Sequence, residues 1–133
     1  MLNILKTLVI GAAVIAAPAM AVGRDSPDVQ MQKLLANRTA GKPVSCISLT
    51  RARSSEIIPG RAIVYRVGGT LYVNQPRSGA ESLDDDSILV TRTIGTQLCR
   101  GEAVNLVDRG SRFQRGFVLL DDFVPYTKAK SAR

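Results

Sequence analysis

Residues 62–74, AIVYRVGGTLYVN, hold two short β-rich runs that meet at Gly68-Gly69. Two glycines between such runs are typical of a two-residue hairpin turn, because the turn needs positive φ at its centre. This stretch therefore predicts antiparallel strands over 62–67 and 70–74. The hairpin places two pairs of side chains opposite each other: Tyr65 with Tyr72, and Val64 with Val73.

Short β-rich runs punctuated by glycine and proline continue along most of the chain. Four further runs share this pattern: VSCISLT (44–50), ILVTRTI (88–94), AVNLVDR (103–109) and FVLLDDFV (117–124). Pro125 is expected to end the last strand, because proline has no N–H to donate. Six short strands and no second helical pattern predict a mainly β fold, with a small antiparallel sheet curled into a barrel or sandwich.

One short N-terminal helix is predicted ahead of the strands. Ser26 is a typical N-cap, Pro27 suits the first helical position and Asp28 complements the helix dipole. Gly41 acts as a stop, so we expect a helix over about 27–38. Three residues are spaced to give this helix one apolar side: Met31, Leu34 and Leu35.

The first residues have the layout of a secretory signal peptide. Lys6 precedes an apolar run from Leu8 to Ala17, and Pro18 is followed by the small-residue pattern Ala19-Met20-Ala21. A membrane anchor is the alternative, but the run is far shorter than the roughly 20 apolar residues that a span needs. We therefore expect cleavage after residue 21 and a periplasmic or secreted protein without a membrane span.

The chain is long enough for one domain with a modest core. The patterns above divide it into four parts: a signal peptide (1–21), an N-terminal segment with a short helix (22–43), a β-rich domain (44–126) and a basic tail (127–133).

Cys46 and Cys99 are the two cysteines of the chain. In an oxidising compartment paired thiols persist as disulfides, and two cysteines permit one intramolecular pairing. Zinc would need four closely spaced cysteine or histidine ligands, and the chain has no histidine. We therefore predict a Cys46–Cys99 disulfide.

Several stretches together resemble a family of small exported proteobacterial proteins of unknown function, particularly sphingomonad-like ones. They are SCI (45–47), AIVYRVGGTLYVNQP (62–76), DSILVTRTIGTQLCRGEAVNLVD (86–108) and RGFVLLDDFVPY (115–126). The resemblance implies a periplasmic or secreted setting. It implies no activity, catalytic residue or ligand.

The acidic clusters do not indicate metal or catalytic chemistry. Residues 84–86 and Asp121-Asp122 lack the alternating acids, glycine and distal glutamate of a calcium loop. Ser82 with Asp85 instead fits a capping box on a single helical turn. Without histidine, the commonest general base is missing, and no carboxylates are spaced as a catalytic pair. We therefore expect no metal, no cofactor and no enzymatic activity.

Arginine is the polar feature that most suggests a ligand. The formal net charge is +7, and Arg109, Arg112 and Arg115 crowd one predicted turn. Clustered guanidinium groups suit phosphate or carboxylate, so these three residues are a possible anion-binding site, with a solvated basic surface as the alternative. Nucleic acid is not expected, because aromatic residues are not interleaved with the basic ones.

Two hypotheses of function follow. The first is a non-enzymatic structural or protein-interaction module with an envelope protein as partner. The second is a binding module for an anionic envelope polymer or lipid headgroup.

Overall fold

A computed structural model describes residues 11–18 and 23–130. The predicted cleavage site and the last three residues of the basic tail lie outside the described residues. These described residues form one α-helix, a 3₁₀ turn (Ala80–Ser82) and ten strands: α1 (Pro27–Leu35), β1 (Arg38–Ala40), β2 (Cys46–Ser48), β3 (Ala52–Ile58), β4 (Ala62–Val67), β5 (Thr70–Asn74), β6 (Ser87–Thr91), β7 (Gln97–Cys99), β8 (Ala103–Asp108), β9 (Gln114–Leu119) and β10 (Phe123–Lys128).

The predicted hairpin is confirmed as β4 and β5. Gly68 has a φ of 60°, and both predicted side-chain pairs stand in register across the two strands. This hairpin lies inside a five-stranded antiparallel sheet with the order β1-β10-β5-β4-β3.

The remaining strands form two smaller antiparallel sheets. One has the order β6-β8-β9 and the other pairs β2 with β7. In the described part of the chain no sheet closes on itself, so the barrel alternative of the prediction is wrong, while the mainly β, antiparallel class is confirmed. The unclosed sheets leave free strand edges.

The five-stranded sheet buries both of its faces. On one face Ile63, Tyr65 and Phe123 pack in a single cluster with Val104 and Val118 of the three-stranded sheet. On the other face α1 covers the sheet. The apolar residues of that second cluster are Ile58, Ala62, Val64, Leu71 and Val73 of the sheet, with Met31, Leu34 and Leu35 of the helix and Tyr126 packed against them. The molecule therefore has three layers.

The helix begins as predicted and ends earlier. Ser26 accepts a hydrogen bond from the Val29 N–H, as an N-cap does. The helix stops at Leu35, not at Arg38, because Asn37 adopts a left-handed φ of 59°. The chain then turns into β1, where Arg38 pairs with the last residue of β10.

Three of the predicted strands are longer than the observed ones, and the predicted last strand is two separate strands. The run 44–50 contains the shorter β2, the run 88–94 forms a strand only to residue 91, and 103–109 ends at residue 108. The run 117–124 breaks between Leu119 and Phe123 into β9 and β10.

Pro125 lies inside β10 and does not end it. Its backbone faces the β1 side, where its carbonyl accepts a hydrogen bond from the Gly41 N–H at 2.7 Å. Strand β1 ends at Ala40, before the residue that would accept from an N–H at position 125. The missing proline N–H therefore costs no hydrogen bond between β1 and β10. As β1 pairs with β10, which runs to Lys128, the sheet extends across both predicted boundaries of the β-rich domain.

The break between β9 and β10 is held by the buried side chain of Asn74. Its Nδ2 donates to the Asp121 carbonyl at 2.7 Å, and its Oδ1 accepts from the Asp121 N–H at 3.1 Å. One amide side chain thereby replaces two backbone partners where the chain crosses between sheets.

Ser82 does not cap a helical turn. It is the last residue of the 3₁₀ turn, and Gly79 with φ 83° precedes that turn, so the predicted capping box is wrong. Position 79 requires glycine, because a Cβ there would collide with the Phe117 carbonyl oxygen. This segment covers the free edge of β9, where the Leu119 N–H donates to Ser78.

The predicted disulfide joins Cys46 and Cys99, with an Sγ–Sγ distance of 2.07 Å. The two cysteines stand directly opposite each other in β2 and β7, and Ile47 and Leu98 beside them are buried in the main cluster. The bridge thus attaches the two-stranded sheet to the core. No helix among the described residues is long and apolar enough to cross a membrane.

Loss of the Asn74 side-chain amide should lower the free energy of unfolding by about 2 kcal/mol, because Asp121 then loses both of its partners. Asn74→Ala can be compared with Gln114→Ala, which removes an exposed hydrogen bond to Asn105 and should cost less than about 0.5 kcal/mol. Urea unfolding measures both, and equal midpoints would contradict the role of Asn74.

Removal of the disulfide should lower the free energy of unfolding by about 4 kcal/mol, since the cross-link closes a loop of 53 residues. The double variant Cys46→Ser/Cys99→Ser and the chemically reduced native chain should unfold at the same lower urea concentration. An unchanged midpoint would show that the bridge contributes nothing.

Candidate functional site

A cleft lies between β3 and β6, which are end strands of their two sheets. It comprises a cavity of about 620 Å³ and one of about 250 Å³ that share Ser55 and Leu89 as lining residues. Residues 52–55 and Thr91 line the smaller cavity, and residues 55–57 and Ser87 line the larger one. The two strands therefore run antiparallel along opposite walls.

The β3 wall presents unpaired backbone groups. The two-residue turn after Val67 makes Val67 and Thr70 a hydrogen-bonded pair, so alternate residues of β4 direct their N–H and C=O groups toward β3. The register of β3 with β4 then directs the backbone of Ser55 and Ile57 away from β4 and into the cleft. In the described structure these groups have no backbone partner.

The β6 wall is similar. The Leu119 N–H donates to Ser78, away from β8, so the next residues of β9 alternate toward and away from β8. The same alternation holds in β8, which is in register with both β9 and β6. The N–H and C=O groups of Leu89 and Thr91 therefore point away from β8. Two free strand edges therefore line one cleft.

Two buried hydroxyl groups line the same cleft. Ser87 is 4% exposed and lines the larger cavity, and Tyr65 is 5% exposed and lines the smaller one. Neither the Ser87 Oγ nor the Tyr65 Oη has a hydrogen-bond partner among the described residues. Buried polar groups normally have partners, so this pair marks a place where a ligand could supply them.

The environment of Tyr65 is otherwise apolar. Its ring packs edge-on against Phe123 with centroids 5.9 Å apart. Burial raises the pKa of its hydroxyl well above the ordinary value, so the group is a neutral donor at physiological pH.

The wide end of the cleft carries charges of both signs. Glu56, Asp85 and Arg109 line the larger cavity together with Gln30 of α1. Asp85 also pairs with Arg24 at 3.1 Å on the exposed surface. A ligand in this cavity would meet hydrogen-bonding groups of mixed charge and not a uniform field.

The three arginines of the predicted anion site differ in their partners. Arg115 lies in β9 and forms ion pairs with Asp84 at 3.5 Å and Asp108 at 3.1 Å. Arg109 lines the cleft, and Arg112 lies in the β8–β9 turn with a φ of 65°. Neither of these two forms an ion pair with a described residue.

Both partners of Arg115 are stabilised as carboxylates. Hydrogen bonds from Ser111, first of all from its backbone N–H, hold the pKa of Asp108 below its ordinary value. The Asp86 backbone N–H does the same for the pKa of Asp84. Arg115 is therefore largely neutralised by its neighbours, and two arginines of the predicted site remain available to an anion.

Within residues 11–18 and 23–130 no cluster of acidic or cysteine side chains has the arrangement of a metal site. The chain matches no protein-family model, no curated protein and no solved structure. The family resemblance drawn from the sequence stays a prediction.

The sequence pattern does not indicate the cleft, because it does not predict β3. The segment ARSSEII has four consecutive exposed residues and thus no alternation of apolar and polar side chains. The available signal was its proximity to the hairpin: Pro59-Gly60 follows the segment directly, and these residues are typical of a turn between paired strands.

Removal of the Tyr65 hydroxyl should raise the free energy of unfolding by about 1 kcal/mol, since a buried donor without a partner is lost. Burial raises the pKa of Tyr65 above its unfolded value near 10, so the unfolded state ionises first, and the free energy of unfolding falls as pH rises above that value. Tyr65→Phe should therefore also reduce the loss of stability in alkali.

Urea unfolding of Tyr65→Phe at about pH 8 and above pH 10 tests both points. Tyr72→Phe on the opposite strand is the matched control, because Tyr72 is only half-buried. A loss of stability for Tyr65→Phe at neutral pH would show that the hydroxyl already has a partner.

Proposed function

We propose that this chain is a non-enzymatic protein-interaction module, which binds an extended polypeptide segment in the cleft by strand addition along β3. The observation that carries the proposal is the combination in one cleft of two unpaired strand edges and two buried hydroxyls without partners. A peptide backbone supplies N–H and C=O groups at the spacing that a strand edge requires.

The β3 edge suits such a partner better than the β6 edge does. It is seven residues long against five, and the side chains of residues 53–56 are exposed. A peptide paired with Ser55 and Ile57 would lie over the floor of the cleft, within the region of the buried Tyr65 and Ser87 hydroxyls.

The same edge limits self-association. A bulge between Ala52 and Ser54 interrupts the register, and Arg53 and Glu56 place opposite charges along the strand. Bulges and charges on an edge disfavour pairing with another copy. A peptide with complementary charges would be accepted, so these features would act as selectivity elements.

The proposed setting is the periplasm or the extracellular space. A disulfide in register between two short strands is compatible with an oxidising exported compartment. The apolar N-terminal sequence with its small-residue pattern supports a signal peptide. The partner would then be an envelope or secreted protein with an accessible extended segment.

Binding of an anionic envelope polymer is the second candidate function. It is supported by Arg109 and Arg112, which carry no ion pair in the described structure, and weakened by the pairing of Arg115 with two aspartates. A polyanion would be retained at low salt and released as the Debye length shortens.

The test uses an immobilised array of random dodecapeptides and then the best-binding synthetic peptide in solution. Ser55→Pro removes an N–H from the cleft edge and should weaken peptide binding at least five-fold, which corresponds to one hydrogen bond. Ser55→Ala keeps that N–H and should bind within about two-fold of the native chain.

Hydrogen exchange supplies the second readout. Peptide binding should protect the amides of Ser55 and Ile57, while protection confined to other strands would overturn the proposal. Equal binding by the proline and alanine variants, or cleft binding by an oligosaccharide or polyanion in place of every peptide, would also overturn it.

A further inference from the structure

The outer face of the three-stranded sheet is apolar and partly exposed. Leu89, Leu106 and Val118 of this sheet point into the core, so the alternate residues of the same strands point outward. The apolar side chains of this outer face are Ile88, Val90, Ala103, Val107, Phe117 and Leu119.

Among the residues that pair in β6, β8 and β9, none of those that point outward is charged. The polar members are Asn105 and Gln114, and they satisfy each other through a hydrogen bond of 3.1 Å. In a chain with a formal net charge of +7, an uncharged face of this kind is a distinct surface feature.

The tip of the β8–β9 hairpin lies beyond one end of this face. Phe113 in the turn is 75% exposed and Phe117 in β9 is 50% exposed. Arg109 and Arg112 both precede Phe113 along the chain and carry no ion pair in the described structure. An exposed aromatic side chain thus directly follows a turn that carries two guanidinium groups without an ion pair.

We propose that this face and hairpin tip dock on the surface of an anionic lipid bilayer. Phe113 enters the boundary between headgroups and acyl chains, and Arg109 and Arg112 contact lipid phosphates. Apolar side chains flanked by basic ones are the combination that gives peripheral binding to anionic membranes.

The size and charge of the surface favour a bilayer over a second copy. Three strands about 4.8 Å apart and about six residues long present a face of about 300 Å², whereas a stable interface buries about 800 Å² per partner. A second copy would also offer no carboxylates on its own outer face to the arginines at the rim. Lipid phosphates offer that complement.

A single tryptophan reports insertion directly, because the native chain contains none. Phe113→Trp should show a blue-shifted emission, and quenching by brominated acyl chains, with vesicles of phosphatidylglycerol and phosphatidylcholine. Ile94→Trp is the matched control: Ile94 is fully exposed and follows β6 at the opposite end of the sheet. Its emission should not change.

Vesicle sedimentation then measures the contribution of charge. Arg109→Ser/Arg112→Ser should lower partitioning about 30-fold, since each basic residue near an anionic surface contributes about a five-fold factor. The control variant Arg51→Ser/Arg66→Ser has the same net charge as the first variant, and its partitioning to vesicles should fall only a few-fold. The partitioning of Phe113→Ser to vesicles should fall about ten-fold. Its thermal midpoint should stay at the native value, because Phe113 is exposed.

Equal losses from the two arginine pairs would overturn the proposal in favour of general basicity. Equal binding to pure phosphatidylcholine would overturn the anionic specificity. Dimerisation in analytical ultracentrifugation that Phe113→Ser abolishes, without vesicle binding, would assign the face to a second copy. None of these results depends on peptide binding at β3, so this proposal and the proposed function fail separately.

Discussion

The structure depends on the need of the β4–β5 hairpin to bury both of its faces. Its residues alternate between two apolar clusters, with Ile63 and Tyr65 on one side and Val64 and Val73 on the other. A two-sided strand pair is stable only between two covering layers. The helix supplies one cover and the three-stranded sheet supplies the other, so the three layers follow from thirteen residues of sequence.

Bringing the second cover into place requires the chain to cross between sheets, and Asn74 and the disulfide stabilise those crossings. Asn74 replaces the backbone partners that Asp121 lacks between β9 and β10. The Cys46–Cys99 bridge fixes the two-stranded sheet against the same core. These contacts stabilise the layers where β4 and β5 lie, and they leave β3 and β6 as open edges. The cleft is therefore a consequence of covering the hairpin.

Local patterns predicted the parts of this fold that local chemistry determines. The Gly68-Gly69 turn, the Ser26 cap and the disulfide each follow from a few residues and were confirmed. The break between β9 and β10 could not be read from FVLLDDFV, because a buried amide 47 residues away holds it. The position of Pro125 within β10 likewise depends on where β1 ends.

The candidate site was beyond sequence reasoning for the same reason. Strand β3 is held by its register with β4 and has almost no amphipathic pattern of its own. The buried hydroxyls of Tyr65 and Ser87 become notable only when the sheets are placed around them. Arg115, which resembled its neighbours in sequence, is distinguished from Arg109 by two carboxylates that the fold brings to it.

Strand β6 borders both proposed surfaces, through its backbone edge and through its outward side chains. Its backbone edge at Leu89 and Thr91 lines the cleft, its side chain Val90 belongs to the apolar face, and Ile88 belongs to that face and also lines the larger cavity. Because a strand's edge and its face are perpendicular, a bilayer on the face would leave the peptide-binding edge of β3 open to solvent. A docked protein would then hold the cleft beside the membrane surface, where extended segments of envelope proteins are within reach.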